Sequence, residues 1–179
     1  MKYTPFELEK MLESMIILVD TREQPGKKFK RRTETFGYPF ERRKLEFGDY
    51  SCAYKDLDGR ERSLAGKVAV ERKMDANELA MCFTKERERF EREFQRSMEV
   101  GARIYLIVEN ENWEKILSGK YGSSAKYRSR LNPQAMKASM LAWACRYDIH
   151  THFCKEETTG ALIADILHYE LKELLQNEE

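Results

Sequence analysis

Cysteine is scarce and scattered: Cys52, Cys82, Cys145 and Cys154 stand far apart in a chain of 179 residues. None falls in a CxxC pair or at a Cys/His spacing that suits zinc, so no zinc centre is encoded and the thiols read as reduced, mostly in apolar surroundings. Histidine is scarcer still. His150, His152 and His168 fall late, in strand- and helix-like patterns where they read as structural or surface groups. No apolar run is long enough to span a bilayer, and Glu7 and Glu9 sit where a signal peptide would need an apolar core. A nucleotide-cradling glycine loop and a nucleophile–base pair are both missing, which argues against an enzyme acting on a small molecule. Repeats and low-complexity linkers are missing too. The chain therefore reads as one domain, residues 1–179, of a soluble cytoplasmic protein.

A strong net charge is also absent, the formal value being +1, but the balance conceals a polarity. Residues 27–44 hold eight basic and two acidic side chains, and residues 155–179 hold two basic and seven acidic ones. That asymmetry predicts one face meant for a polyanion. Lys27, Lys28, Lys30, Arg31 and Arg32, then Arg42 and Arg43, are candidate phosphate contacts. Lys126, Arg128 and Arg130, in a polar loop over residues 119–130, join them. Tyr121 and Tyr127 in that loop are candidates for stacking on unpaired bases.

What is present is an ordered series of elements. Thr4 and Pro5 open a helix over residues 5–13. The unbroken apolar run 15–19 reads as a buried strand ending at Asp20. After the Gln24-Pro25-Gly26 turn, the basic stretch reads as a mobile loop. Residues 38–47 and 49–54 read as strands joined at Gly48, with a hairpin turn at 56–59. A strand over 67–73 follows. A helical region from Asn77, with a break near Thr84, carries Leu79, Phe83, Phe90, Phe94 and Met98 on one face. Strand 103–108, helix 113–117, helix 133–147, strand 148–153 and a helix from Thr158 or Thr159 to about residue 175 complete the chain. Strands clustered first and alternating later predict a mixed central sheet in a three-layer α/β/α arrangement.

The chemistry gathers on three short motifs. Alternate strand residues share a face, so Glu71 and Lys73 point the same way, roughly 7 Å apart, while Arg72 points away with Val68 and Val70. The hairpin between them can bring Asp49 beside Glu71. Two carboxylates that close repel each other unless a cation joins them, and Mg²⁺ or Mn²⁺ suits such an oxygen site on a phosphodiester substrate. Asp20 or Glu23, at the end of the first strand, could complete the shell. Lys73 could orient a water or neutralise charge on phosphorus.

Asp20-Thr21-Arg22-Glu23, Gly48-Asp49-Tyr50 and Glu71-Arg72-Lys73, in that order, resemble the signature of the XPF-type nuclease domain. That family is a branch of the PD-(D/E)XK restriction-endonuclease-like superfamily. The resemblance covers a core of about residues 15–153. It implies a restriction-endonuclease-like fold and a metal-dependent endonuclease that hydrolyses branched, flapped or junction-containing duplex DNA. It implies Glu23, Asp49 and Glu71 as metal ligands with the Arg72 carbonyl, Asp20 nearby, Lys73 as catalytic, and Arg22 in support or on phosphate. It further implies pairing as a possible homodimer, and a compact stand-alone member of the kind found in bacteria and their phages. The aspartate the family carries after Glu-Arg-Lys falls here on Asn77, with Asp75 two residues before it. Asn77 is expected to keep a hydrogen-bonding or capping role. The competing expectation is a catalytically inactive DNA-binding or partner-docking module of the same fold.

Overall fold

The computed structural model describes residues 2–121 and 131–177. Thr4 caps α1 (Pro5–Glu13) reciprocally: its hydroxyl accepts the Glu7 N–H, and the Glu7 carboxylate accepts the Thr4 N–H. The apolar run that follows forms β1 (Ile16–Val19), buried almost throughout. On one side β1 pairs in parallel with β2 (Phe40–Arg42). On the other it pairs antiparallel with β3 (Tyr50–Lys55). A turn at Asp56 and Gly59 sends β3 into the short β4 (Glu61–Ser63). Next to β3 lies β5 (Val68–Lys73), antiparallel, and then β6 (Arg103–Glu109) and β7 (Ile149–Cys154), both parallel to β5. The sheet order is β2-β1-β3-β5-β6-β7, with β4 paired to β3 alone.

Both faces of this mixed sheet are covered. One face, with Ala69, Ile104, Leu106 and Val108, packs on α3 (Ala76–Cys82), α4 (Arg87–Glu99), α5 (Trp113–Ser118) and α6 (Pro133–Tyr147). The other, with Ile17, Val19, Cys52, Val68 and Val70, packs on α1, α2 (Lys27–Glu34) and α7 (Thr159–Asn177). The expected three-layer α/β/α arrangement is therefore the one the chain forms. It explains why β5 and β6 read as continuous apolar runs: strands buried on both sides lose the polar alternation. Among the described residues, no helix is long and apolar enough to cross a membrane. All four cysteines are free, with Cys52 and Cys82 buried and Cys145 exposed.

The structure departs from the sequence expectations in three places. The basic stretch is a helix, α2, because Phe29 turns into the apolar layer and Arg32 inward to Glu23 and Tyr50 while the lysines stay outside. The strand expected over 38–47 shrinks to β2. Beyond Arg42 the chain bends, because Leu45 N–H donates to the buried Asp20 carboxylate at 2.7 Å. The inner face of α4 is Phe90, Glu93, Phe94 and Ser97, and Met98 is exposed.

The approach of α2 to α7 leaves no room at Gly160. A Cβ there would lie 2.1 Å from the Arg32 carbonyl oxygen and 2.2 Å from Thr35 Oγ1. Gly160→Ala is expected to destabilise the protein by about 1–3 kcal/mol, the usual effect of overpacking. Urea denaturation measures it, and an unchanged midpoint would show that the helices separate freely.

Candidate active site

The site begins at the tight turn into β3. Gly48 has a positive φ of 71°, and a Cβ there would stand 2.7 Å from Ala69 Cβ, so only glycine lets the chain pass this close to β5. The next residue, Asp49, donates its N–H to the Val70 carbonyl and accepts the Arg72 N–H on Oδ2, both at 2.8 Å. Asp49 is thereby registered on β5 beside Glu71.

Strand alternation does the rest. Glu71 and Lys73 face α3 and α4, and Arg72 faces the opposite layer. Glu71 and Lys73 are both buried, and Lys73 Nζ lies 2.5 Å from Glu71 Oε1 and 4.3 Å from the centre of the Phe90 ring. These groups line a cleft of about 220 Å³, which Glu23, Arg22 and Glu93 also border.

The electrostatics of the cleft are strained by excess negative charge. Asp49 keeps some solvent contact along the cleft. Protein packed around its carboxyl strips away hydration, and with the Glu71 charge this raises it to about 8. Burial likewise raises Glu71; Lys73 opposes that shift and Glu93 adds to it. Burial disfavours the Lys73 charge, but Glu71 beside it outweighs this and holds the ammonium charged. Two carboxyls pushed upward side by side have the chemistry that suits a hard divalent cation, which would relieve both at once. Among the described residues, no three His, Cys, Asp or Glu side chains already form a ready-made metal cluster.

The remaining candidates take other places. Asp20 is fully buried and does not border the cleft. It accepts from Leu45 N–H, and from Arg22 N–H and Nε at 2.8 and 2.6 Å; these bonds overcome the effect of burial and keep its carboxyl below the usual range. Asp20 thus shapes the turn that carries Arg22, which reaches the Gly48 carbonyl at 3.3 Å. Glu23 borders the cleft, yet its oxygens are engaged. Oε2 accepts from Arg32 at 2.8 Å and from the Tyr50 hydroxyl at 2.6 Å, and Oε1 lies 3.6 Å from Arg72. Arg72 also pairs with Glu109 at 3.3 Å, and Arg32 Nε lies 3.9 Å from the same carboxylate. Two arginines and two glutamates thus close a ring along one wall of the cleft, with Arg32 and Glu109 buried and Glu23 and Arg72 bordering the cleft.

Arg32 is therefore not on a surface that meets phosphate, contrary to the expectation from its basic run: it is needed inside to neutralise Glu23. Arg42 holds the turn by donating to the Thr21 and Glu23 carbonyls at 2.7 and 2.8 Å. Arg43 pairs with Glu41 and Glu61, and Lys28 and Arg31 pair with Glu156. Lys27 and Lys30 are exposed on α2. Lys126, Tyr127, Arg128 and Arg130 lie outside the described residues. Tyr121 is buried, its hydroxyl on the Leu131 carbonyl, and does not present a stacking face. Asp75, not Asn77, caps α3, accepting from Asn77 and Glu78 N–H at 2.8 and 2.9 Å, and neither borders the cleft. Glu93 and Glu109 were not singled out from sequence. For Glu109 a signal was available, a carboxylate closing an apolar strand; for Glu93, amid dense charge, the only one was its helical spacing from Phe90 and Ser97.

A mixed sheet whose adjacent strands carry Asp49 and Glu71-Arg72-Lys73 into one cleft defines a nuclease-type α/β/α domain. The ERCC4 domain family matches residues 19–166, and the chain belongs to that family. Its fold is similar to that of XPF from Aeropyrum pernix: 20% identity, TM-score 0.58, covering 86% of this chain. A second similar structure is XPF from Aeropyrum pernix in complex with DNA: 19% identity, TM-score 0.57, covering 88% of this chain. This chain spans 65% of the length of each. No curated protein matches it.

Two measurements test the site as described. Arg32→Met leaves Glu23 and Glu109 short of a partner and is expected to cost about 3–5 kcal/mol of folding free energy; a loss under 1 kcal/mol in chemical denaturation would mean the ring is not a coupled unit. The second concerns pH. A carboxyl raised from 3.8 to about 8 binds a proton in the folded protein that the unfolded chain has released. Its contribution to stability therefore falls as pH rises from about 4 to 8. Asp49→Asn is expected to be more stable than the native protein in chelator at pH 8, by about 1 kcal/mol or more, and to converge with it near pH 4. Equal stabilities at pH 8 would refute the strained carboxyl.

Proposed function

We propose that this chain is a divalent-cation-dependent DNA endonuclease acting on branched, flapped or junction-containing duplex. The observation that carries the proposal is the convergence of Asp49, Glu71 and Lys73 in one cleft, with both carboxyls raised by burial and by neighbouring negative charge. In this reading Asp49 and Glu71 hold Mg²⁺ or Mn²⁺ with the Arg72 carbonyl. Such a cation, when bound, polarises a phosphodiester and makes a nearby water easier to deprotonate. Lys73, fixed by Glu71 and by the Phe90 ring, orients the attacking water and offsets charge gathering on the phosphate. Arg22, half exposed at the cleft mouth, is placed to hold a backbone phosphate.

DNA as the substrate is supported by family membership and by the similarity to a relative solved with DNA. Lys27, Lys28, Lys30 and Arg31 lie on the outer side of α2, beside the Glu23 wall, and supply a surface for the phosphate backbone. Lys28 and Arg31 exchange Glu156 for phosphate in this reading.

The test is cleavage of flap, fork, linear duplex and single-stranded substrates, with Mg²⁺, Mn²⁺ or chelator. Cleavage is expected to require the cation and to favour the junctions. Asp49→Ala and Lys73→Ala are each expected to lose about 100-fold or more, as when a transition-state electrostatic partner is removed. Undiminished cutting by either variant, or by the native protein in chelator, overturns the assignment. The engagement of Glu23 by Arg32 and Tyr50 favours one other reading, a catalytically inactive DNA-binding or partner-docking module. Cation titration separates the two, since such a module need not bind metal at Asp49 and Glu71.

A further inference from the structure

α4 buries a carboxylate that the chemistry above does not use. Glu93 is only 4% exposed, on the same face as Phe90 and Phe94. Its Oε1 accepts the Gly48 N–H at 2.8 Å, directly before Asp49. Among the described residues, Oε2 makes no hydrogen bond, and no lysine or arginine forms a salt bridge with Glu93. The residue nonetheless borders the cleft beside Asp49 and Glu71.

The other acids of the cleft are already engaged. Glu78 accepts the Met74 N–H at 2.6 Å, Glu86 accepts from Arg89 at 3.1 Å, and Glu23 belongs to the arginine ring. Asp75 is consumed in capping α3 and neither it nor Asn77 borders the cleft, so the first turn of α3 reaches the site only through Glu78. Glu93 is thus a buried carboxylate with one oxygen anchored and the other open to a ligand from the cleft. Asp49, Glu71 and Glu93 outnumber Lys73, the one ammonium among them, so the inner cleft carries surplus negative charge of the kind a divalent cation offsets. Arg22 acts on Glu93 and Asp49 only from a distance, its ion pair being with Asp20.

We propose that Glu93 is a carboxylate of the divalent-cation site, with Oε1 fixing the Gly48-Asp49 turn and Oε2 contributing to cation binding. The proposal rests on the cation-site reading of Asp49 and Glu71. It makes α4 a third wall of the site.

Glu93→Gln separates the two roles of the side chain: an amide oxygen still accepts the Gly48 N–H, but the charge is gone. The probe is Mn²⁺ alone, titrated calorimetrically into the metal-free full chain, without DNA, with electron paramagnetic resonance counting bound ions. Urea denaturation in chelator checks that E93Q is folded. Mn²⁺ affinity is expected to fall about 10-fold or more, the range seen when a partner close to a metal is removed. Glu86→Gln, the same charge change on the exposed rim of the same cleft, is expected to leave affinity within about twofold of the native protein. Native affinity in E93Q would reduce Glu93 to a backbone clamp and overturn the proposal. An equal loss in E86Q would assign the effect to the general charge of the cleft and overturn it too. A native protein that binds no Mn²⁺ would instead fail the underlying reading of Asp49 and Glu71.

Discussion

Asp49 is pinned where three strands meet, and the rest of the site depends on that contact. Its carbonyl accepts the Asp20 N–H from the end of β1, and its N–H donates to Val70 of β5. Its side chain accepts the Arg72 N–H from the same strand. One residue thus satisfies backbone groups of both neighbours while presenting its carboxyl to Glu71. The arrangement requires the chain to approach β5 at a distance only Gly48 allows. It also requires a wide turn before it, held by Asp20, Arg22 and Arg42. Raising an acid so far above its ordinary range is destabilising in the absence of a cation. The sheet tolerates it because every main-chain partner around Asp49 is satisfied.

The two faces of β5 divide the electrostatic work. On the face of α3 and α4, Glu71 and Lys73 stand in a cleft with surplus negative charge. On the opposite face, Arg72 enters a ring with Glu23, Arg32 and Glu109 that is neutral by count and closed by the Tyr50 hydroxyl. Such a ring adds little net stability over an apolar core, but breaking it is costly, so it acts as a geometric lock. What it locks is the position of β5 against α2, and with it the back wall of the cleft. The same lock explains why a run that looks like a nucleic-acid-binding arm contributes one arginine to the interior.

Much of this was legible along the chain. Gly48-Asp49-Tyr50 and Glu71-Arg72-Lys73 lie on strands, and strand alternation is a local property. The separation of Arg72 from Glu71 and Lys73 therefore follows from spacing alone. The break between α3 and α4 and the limits of β6 and α6 were readable for the same reason. Residues 27–34 were not, because lysine and arginine allow a helix without requiring one, and eight residues with a single apolar side chain are too short a pattern to stand alone. The close approach of α2 to α7 at Gly160 and the inward turn of Phe29 and Arg32 hold them so. Asp20 and Glu23 look equivalent in sequence. They differ because one turns back under Leu45 while the other meets Tyr50 and two arginines.

By itself, then, the order of residues determined the layer architecture, the order of the motifs and the face on which each strand side chain stands. Those depend on period-two and period-3.6 patterning, which neighbours in the chain decide. Only the tertiary structure decided which acids share the cleft, which are neutralised behind it, and that Glu93 on α4 borders it at all. Those outcomes depend on Coulomb interactions and burial between residues tens of positions apart, and no local pattern encodes them.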